Sequence, residues 1–185
     1  MAKGFIVFPA YKVENDKAII QLFGRLDNGE SFLIENTYKP YFFIQTKHQK
    51  KAESLAPVDY KETETLTFNN EKTTKVTLKS PKSVPEIRKL FSDNNIPSYE
   101  ADIRFVMRYL IDKNIKSTIN IEGKYEKHDR VNRYYKDATI TPSDYKPDLK
   151  TLSFDIETDK KGDSLYSIAL YGKNLSKVLI KKDKE

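Results

Sequence analysis

The sequence predicts an α+β chain in which a β-meander, barrel-like in outline, leads into a ferredoxin-like split βαβ unit. Three observations carry this prediction. The first forty residues hold short apolar stretches separated by turn formers. From Pro40 the pattern becomes strand, helix, strand, strand, helix, strand, which is the order of the split unit. Finally, 12 tyrosines and 10 phenylalanines supply apolar area that offsets the entropy of ordering, so a disordered chain is excluded.

The elements follow in order. Gly4 to Phe8, Ala18 to Phe23 and Ser31 to Glu35 read as the three strands of the meander. Asp27-Asn28-Gly29 lies between the last two and tolerates positive φ, a strong hairpin signal. Tyr41-Phe42-Phe43-Ile44 reads as a buried strand, His48 to Leu55 as a short helix, and Val58 to Phe68 as extended chain. After the turn Asn69 to Lys72, Lys75 to Lys79 alternates with period two. Ser83-Val84-Pro85-Glu86 has the form of a capping box. Ile87, Leu90 and Phe91 then share one helical face, which Asn94-Asn95 can end, and Ser98 to Ile103 is extended again. Phe105 to Asp112 has helical spacing, with Asn114 as its cap. Residues 116–148 are polar, and Pro142 and Pro147 bracket a stretch that reads as a linker.

Composition narrows the function. The chain has no cysteine, which excludes disulfides, thiolate zinc sites and thiol catalysis. Its two histidines, His48 and His128, stand in no hydrolase arrangement. No apolar run approaches a membrane span, and Met1 to Phe5 does not lead into a secretory signal. A cytoplasmic protein is the expectation. The net charge of +6 falls almost wholly after residue 103 and fits a polyanionic partner or a solvated lysine surface. Arg104, Arg108, Arg130 and Arg133 are interleaved there with Tyr109, Tyr125, Tyr134 and Tyr135. Arginines can neutralise phosphates and tyrosines can stack on bases, or the arginines can pair with Asp102, Asp112 or Asp129. The aromatic signature of RNA-recognition motifs is absent.

One segment invites chemistry. In Leu152 to Thr158, the apolar Leu152, Phe154 and Ile156 alternate, so the segment reads as a strand with those three facing a core. Asp155 and Glu157 then project together from the other face. Lys160 to Asp163 can turn the chain into an antiparallel strand over Leu165 to Tyr171, and Lys177 to Ile180 can add a third. Two carboxylates on one strand face can ligate hard divalent cations, and a pair of such ions activates water against a phosphodiester. Most Asp-x-Glu triplets are merely solvated, and the pattern alone leaves both readings open.

Leu152-Ser153-Phe154-Asp155-Ile156-Glu157-Thr158 resembles the first exonuclease motif of family B DNA polymerases. Lys39 to Phe43, Ser83 to Arg88 and Tyr99 to Lys113 resemble the amino-terminal domain of the same enzymes, in the family's order. The residues of these stretches resemble the archaeal branch. The long connection 114–150, with Asp144-Tyr145-Lys146-Pro147, is similar to bacterial DNA polymerase II.

The resemblance implies an amino-terminal domain over 1–145, with the split βαβ unit at about 40–103. Residues 146–185 would open an RNase H-like 3′–5′ exonuclease domain, truncated here. It implies an amino-terminal fragment of a DNA-directed DNA polymerase, inactive alone because the later exonuclease carboxylates and the palm aspartates lie beyond Glu185. Asp155 and Glu157 would be catalytic and would bind Mg²⁺ or Mn²⁺. Partners would be single-stranded template, primer-template and deoxynucleotides, in replication or repair at the nucleoid. A sliding clamp fits the same list, although its motif is not in this chain. The alternative is a stand-alone, non-enzymatic module that binds single-stranded nucleic acid.

The archaeal branch also implies a pocket for uracil in the template strand. Tyr11, Pro40, Val84, Arg88, Ile103, Phe105 and Arg108 fall where that pocket's residues fall. Apolar walls from Pro40, Val84, Ile103 and Phe105 could hold a flipped base, with Tyr11 closing one side and a tight wall rejecting the thymine methyl. Arg88 and Arg108 would brace the pocket or touch phosphate. Arg104 departs from the archaeal pattern, which has proline there. The competing expectation is ordinary core packing of the same residues.

Overall fold

A computed structural model describes residues 1–182, which divide into two compact units, Met1–Lys146 and a second from Pro147 onward. Strands dominate both.

The first unit opens with β1 (Ala2–Glu14), β2 (Lys17–Leu26) and β3 (Ser31–Thr37), paired as an antiparallel meander. Asn15 and Asp16, at φ 48° and 59°, make the first turn. Two consecutive positive φ values belong to the turn whose twist matches paired strands. Gly29, at φ 86°, serves the second turn, where its amide donates to the Leu26 carbonyl. Alternate residues of β2 and β3, among them Ile20, Leu22, Phe32 and Ile34, are fully buried. The Phe32 ring lies against the backbone at Gly24, where any Cβ would stand 2.3 Å from the ring and 2.2 Å from the Phe5 carbonyl oxygen.

Residues 116–141, read from the sequence only as polar chain, supply four strands: β8 (Thr118–Glu122), β9 (Tyr125–His128), β10 (Val131–Lys136) and β11 (Thr139–Pro142). They complete a seven-stranded sheet of order β11-β8-β1-β2-β3-β10-β9, open rather than closed into a barrel. The helix α3 (Phe105–Asp112) packs Phe105, Tyr109 and Leu110 into this sheet's core. Asn114, at φ 53°, ends α3, with the Ile115 amide donating to the Leu110 carbonyl. Asn95 ends the preceding helix in the same way, the left-handed closure that asparagine tolerates best after glycine.

Between β3 and α3 lies a second sheet. Its elements run β4 (Tyr41–Gln45), α1 (Gln49–Leu55), β5 (Asp59–Leu66), β6 (Lys72–Thr77), α2 (Ser83–Asp93) and β7 (Ser98–Tyr99). The strand order is β5-β6-β4-β7, with every pair antiparallel. Phe42, Ile44 and Val76 turn one face toward α1 and α2, where they meet Ala52, Phe91 and Ile96. Two expectations fail here. The capping box does not form, because Ser83 already lies inside α2 and its amide donates to the Ser80 carbonyl. The last strand ends at Tyr99 rather than Ile103, because Glu100 takes φ 59° and breaks the extended chain.

The second unit is a three-stranded antiparallel meander of β12 (Leu152–Thr158), β13 (Leu165–Gly172) and β14 (Leu175–Ile180). Its turn after β12 is held by Asp159, whose carboxylate accepts from the amides of Asp163 and Ser164. Leu152, Phe154 and Ile156 share one face as expected, but all three are at least half exposed. Three short strands have no second layer of their own to cover that face.

Candidate nucleic-acid interface

Helix α3 places Phe105 and Arg108 one turn apart, at its start and its middle. Arg104 precedes them at φ −56° and ψ 134°, a conformation that proline could also hold. The turn of 100–104 and the approach to α2 face each other across a cavity of about 540 Å³, within the range of small-molecule sites. Tyr11, Pro40, Val84, Arg88, Ile103, Phe105 and Arg108 all line it. Pro40 and Phe105 are buried, Val84 and Ile103 half-buried, and Tyr11 and Arg88 exposed. Tyr11 meets Phe105 edge-on, with ring centroids 5.3 Å apart. The cavity therefore has an apolar floor and a mouth flanked by a phenol and a guanidinium.

Arg108 is its charged wall. The side chain is 8% exposed, pairs with Glu100 at 2.5 Å and with Asp112 at 3.6 Å, and lies over the Tyr41 ring at 5.0 Å. Its Nε finds no partner among the described residues. Burial works against the guanidinium charge, and the facing Tyr41 oxygen, Glu100 and Asp112 outweigh it, so the pKa rises. Asp112 accepts from the hydroxyls of both Tyr38 and Tyr41. Burial, reinforced by that hydrogen bond, pushes the Tyr41 phenol up to about 12 and Tyr38 higher still. Pro9, Tyr41, Pro81, Pro85 and Glu100 also line the cavity and were missed as site residues. Only the Arg108–Asp112 spacing, i to i+4 on a helix, offered a signal.

The other arginines divide. Arg133 pairs with Glu30 and stacks over Tyr125 at 4.5 Å, while Arg130 and Arg104 are exposed without an ion pair among the described residues.

In the second unit, Asp155 and Glu157 lie on one face of β12, opposite Ala169 and Ser167 of β13. These small neighbours leave the space above both carboxylates open. The donors are of the kind Mg²⁺ or Mn²⁺ prefers, but they number two, and most of an octahedral shell would fall to water. Among the described residues no group of three or more Asp, Glu, His or Cys side chains converges as a metal site. Nor is any described helix long and apolar enough to cross a membrane.

The chain is similar to known DNA polymerases. Residues 96–169 match the model of the DNA polymerase family B exonuclease domain. The chain is 39% identical over 85 residues to DNA polymerase II of Escherichia coli K12, covering 45% of this chain and 10% of that protein. It is 28% identical over 168 residues to a DNA polymerase of Archaeoglobus fulgidus, covering 84% of this chain and 21% of that protein.

Over residues 96–169 the chain is similar to the family B DNA polymerases.

The fold agrees. The family B DNA polymerase from the hyperthermophilic archaeon Pyrobaculum calidifontis matches over 97% of this chain and 27% of its own, with a TM-score of 0.74 and 22% identity. The chain thus spans between about a tenth and about a quarter of these proteins.

Proposed function

We propose that this chain is the amino-terminal part of a DNA-directed DNA polymerase with 3′–5′ proofreading exonuclease, and that its first unit meets the single-stranded template. In this reading residues 1–145 form the amino-terminal domain. The four-stranded sheet and its two helices, over about 40–103, are a ferredoxin-like split βαβ unit. Residues 146–185 begin an RNase H-like exonuclease domain.

The observation that carries the template reading is the convergence of seven residues, from four separate chain segments, on one cavity. A base turned out of the strand enters past Tyr11 and lies against Pro40, Val84, Ile103 and Phe105. The enclosing wall excludes a methyl at the position where thymine differs from uracil. Arg88, exposed at the rim, meets phosphate, and Arg108, held by Glu100 and Asp112, keeps the wall in place. In the second unit Asp155 and Glu157 contribute two ligands to Mg²⁺ or Mn²⁺. The metal would supply water activation and stabilise the leaving oxygen. The chain's own part is to hold two carboxylates on one rigid strand face.

The test of the template reading is a titration with two single-stranded oligonucleotides that differ in one uracil or thymine. Salt is held fixed because phosphate contacts dominate affinity. The expected result is tighter binding of the uracil strand. Equal affinity contradicts the reading.

A further inference from the structure

We propose that the open face of the four-stranded sheet holds a second nucleotide of the same single strand, beside the base pocket and separated from it by Arg108. The proposal rests on the reading that this chain meets single-stranded nucleic acid. Lys61 stands opposite Lys75, Lys75 opposite Phe43, and Phe43 opposite Tyr99. Directly opposed residues in an antiparallel sheet share a face. Two cations and two rings therefore form one row across all four strands. That face points away from α1 and α2, since Phe42, Ile44 and Val76 occupy the other.

The row is hard to explain without a ligand. Directly opposed like charges destabilise a sheet, and neither lysine has an ion pair among the described residues. A phosphate between them removes that conflict. The Lys75 ammonium lies 3.5 Å from the centre of the Tyr41 ring. Burial lowers its pKa, so an anion arriving there meets a partly desolvated cation and is held more strongly than at the surface.

A second cavity of about 540 Å³ opens on this face. Phe43 and Tyr99 form its floor, and the hairpin between β5 and β6 overhangs it with Leu66 and Phe68. Phe68 is fully exposed and Leu66 is 54% exposed, so the hairpin presents apolar surface with nothing to cover. Arg108 lines both cavities.

The occupant follows from charge and shape. Lysines on one side of the row attract a polyanion, and flat rings on the other stack with bases of any sequence. An acidic peptide would satisfy the lysines and leave the rings idle. The rings sit on β4 and β7, far apart in sequence, which is why no contiguous aromatic signature announced them.

Anisotropy of a fluorescein-labelled single strand, read with the uracil and thymine oligonucleotides on the 185-residue chain, tests the proposal. Phe68→Ala, on an exposed hairpin, is expected to weaken binding of both strands about tenfold and leave their ratio unchanged. Lys61→Gln is expected to reduce the slope of log affinity against log salt by about 0.7. Unchanged affinity in Phe68→Ala together with an unchanged slope in Lys61→Gln would overturn the proposal, even with a uracil preference intact. A chain without uracil preference that shows both effects supports this second site while rejecting base sensing in the first. A poly-glutamate peptide that displaces the strand as well as oligothymidine would overturn the nucleotide assignment, as would failure to bind single strands at all.

Discussion

Replacing Arg108 by methionine keeps the aliphatic stem and removes the guanidinium that joins the two cavities. The structure sets the size of the effect. Breaking a fully buried ion pair by deleting one partner costs about 3–5 kcal/mol. Here the stranded carboxylates are only partly buried, with the Glu100 side chain 49% and the Asp112 side chain 26% exposed. Water can therefore take over much of the lost interaction, and Asp112 keeps the hydroxyls of Tyr38 and Tyr41. Discounting for that exposure leaves about 2 kcal/mol. With a urea dependence of about 2 kcal/mol per molar, the denaturation midpoint should fall by about 1 M. Arg130→Met, at an exposed arginine outside any ion pair among the described residues, is the control and should move the midpoint by less than about 0.25 M. If Arg108→Met behaves like the control, Arg108 does not hold the wall and the reasoning fails.

Gly24→Ala should cost about 3 kcal/mol, because its Cβ would collide with the Phe5 carbonyl oxygen and the buried Phe32 ring; a thermal melt close to the parent's would show that the ring can move aside. Stability should be level to about pH 10 and fall as pH rises toward 12. Burial pushes the phenols of Tyr41 and Tyr60 up to about 12, so between those values the folded chain holds protons that the unfolded chain has released. Tyr60→Phe should flatten that fall, and the depressed Lys75, whose penalty is relieved in the same direction, opposes it; an equally steep fall in Tyr60→Phe refutes the assignment. In a polymerase that contains this chain, Asp155→Ala with Glu157→Ala should abolish 3′–5′ degradation and leave primer extension intact, and undiminished degradation would remove both residues from the exonuclease.

Much of the fold was legible because local chemistry and tertiary structure agree. Asp27-Asn28-Gly29 turns the chain where its residues allow, and the alternation of β2 and β3 is the alternation of the core. Asn95 and Asn114 stop their helices as read. What was missed depends on distant partners. β10 is polar and tyrosine-rich, and it pairs in parallel with β3, about a hundred residues earlier, so no local pattern reveals it. The stretch that Pro142 and Pro147 bracket holds no helix or strand, and Pro142 itself closes β11 at the edge of the sheet, where a missing amide is harmless. The capping box at Ser83 failed because a tighter turn from Ser80 starts the chain curling earlier. At the site, the resemblance singled out seven lining residues, but Tyr41 and Glu100 became visible only with the cavity's geometry. The row from Lys61 to Tyr99 required the register of four strands.

The most direct test of the account is the ratio of uracil to thymine affinity in Val84→Gln. Val84 lines the base cavity, is half-buried and does not line the second one. A longer amide there fills the space a flipped base needs while leaving Arg88 and the sheet's open face untouched. The account predicts that the parent chain prefers the uracil strand, that Val84→Gln reduces the ratio to one, and that affinity for the thymine strand stays within twofold. A uracil preference that survives in Val84→Gln would contradict it.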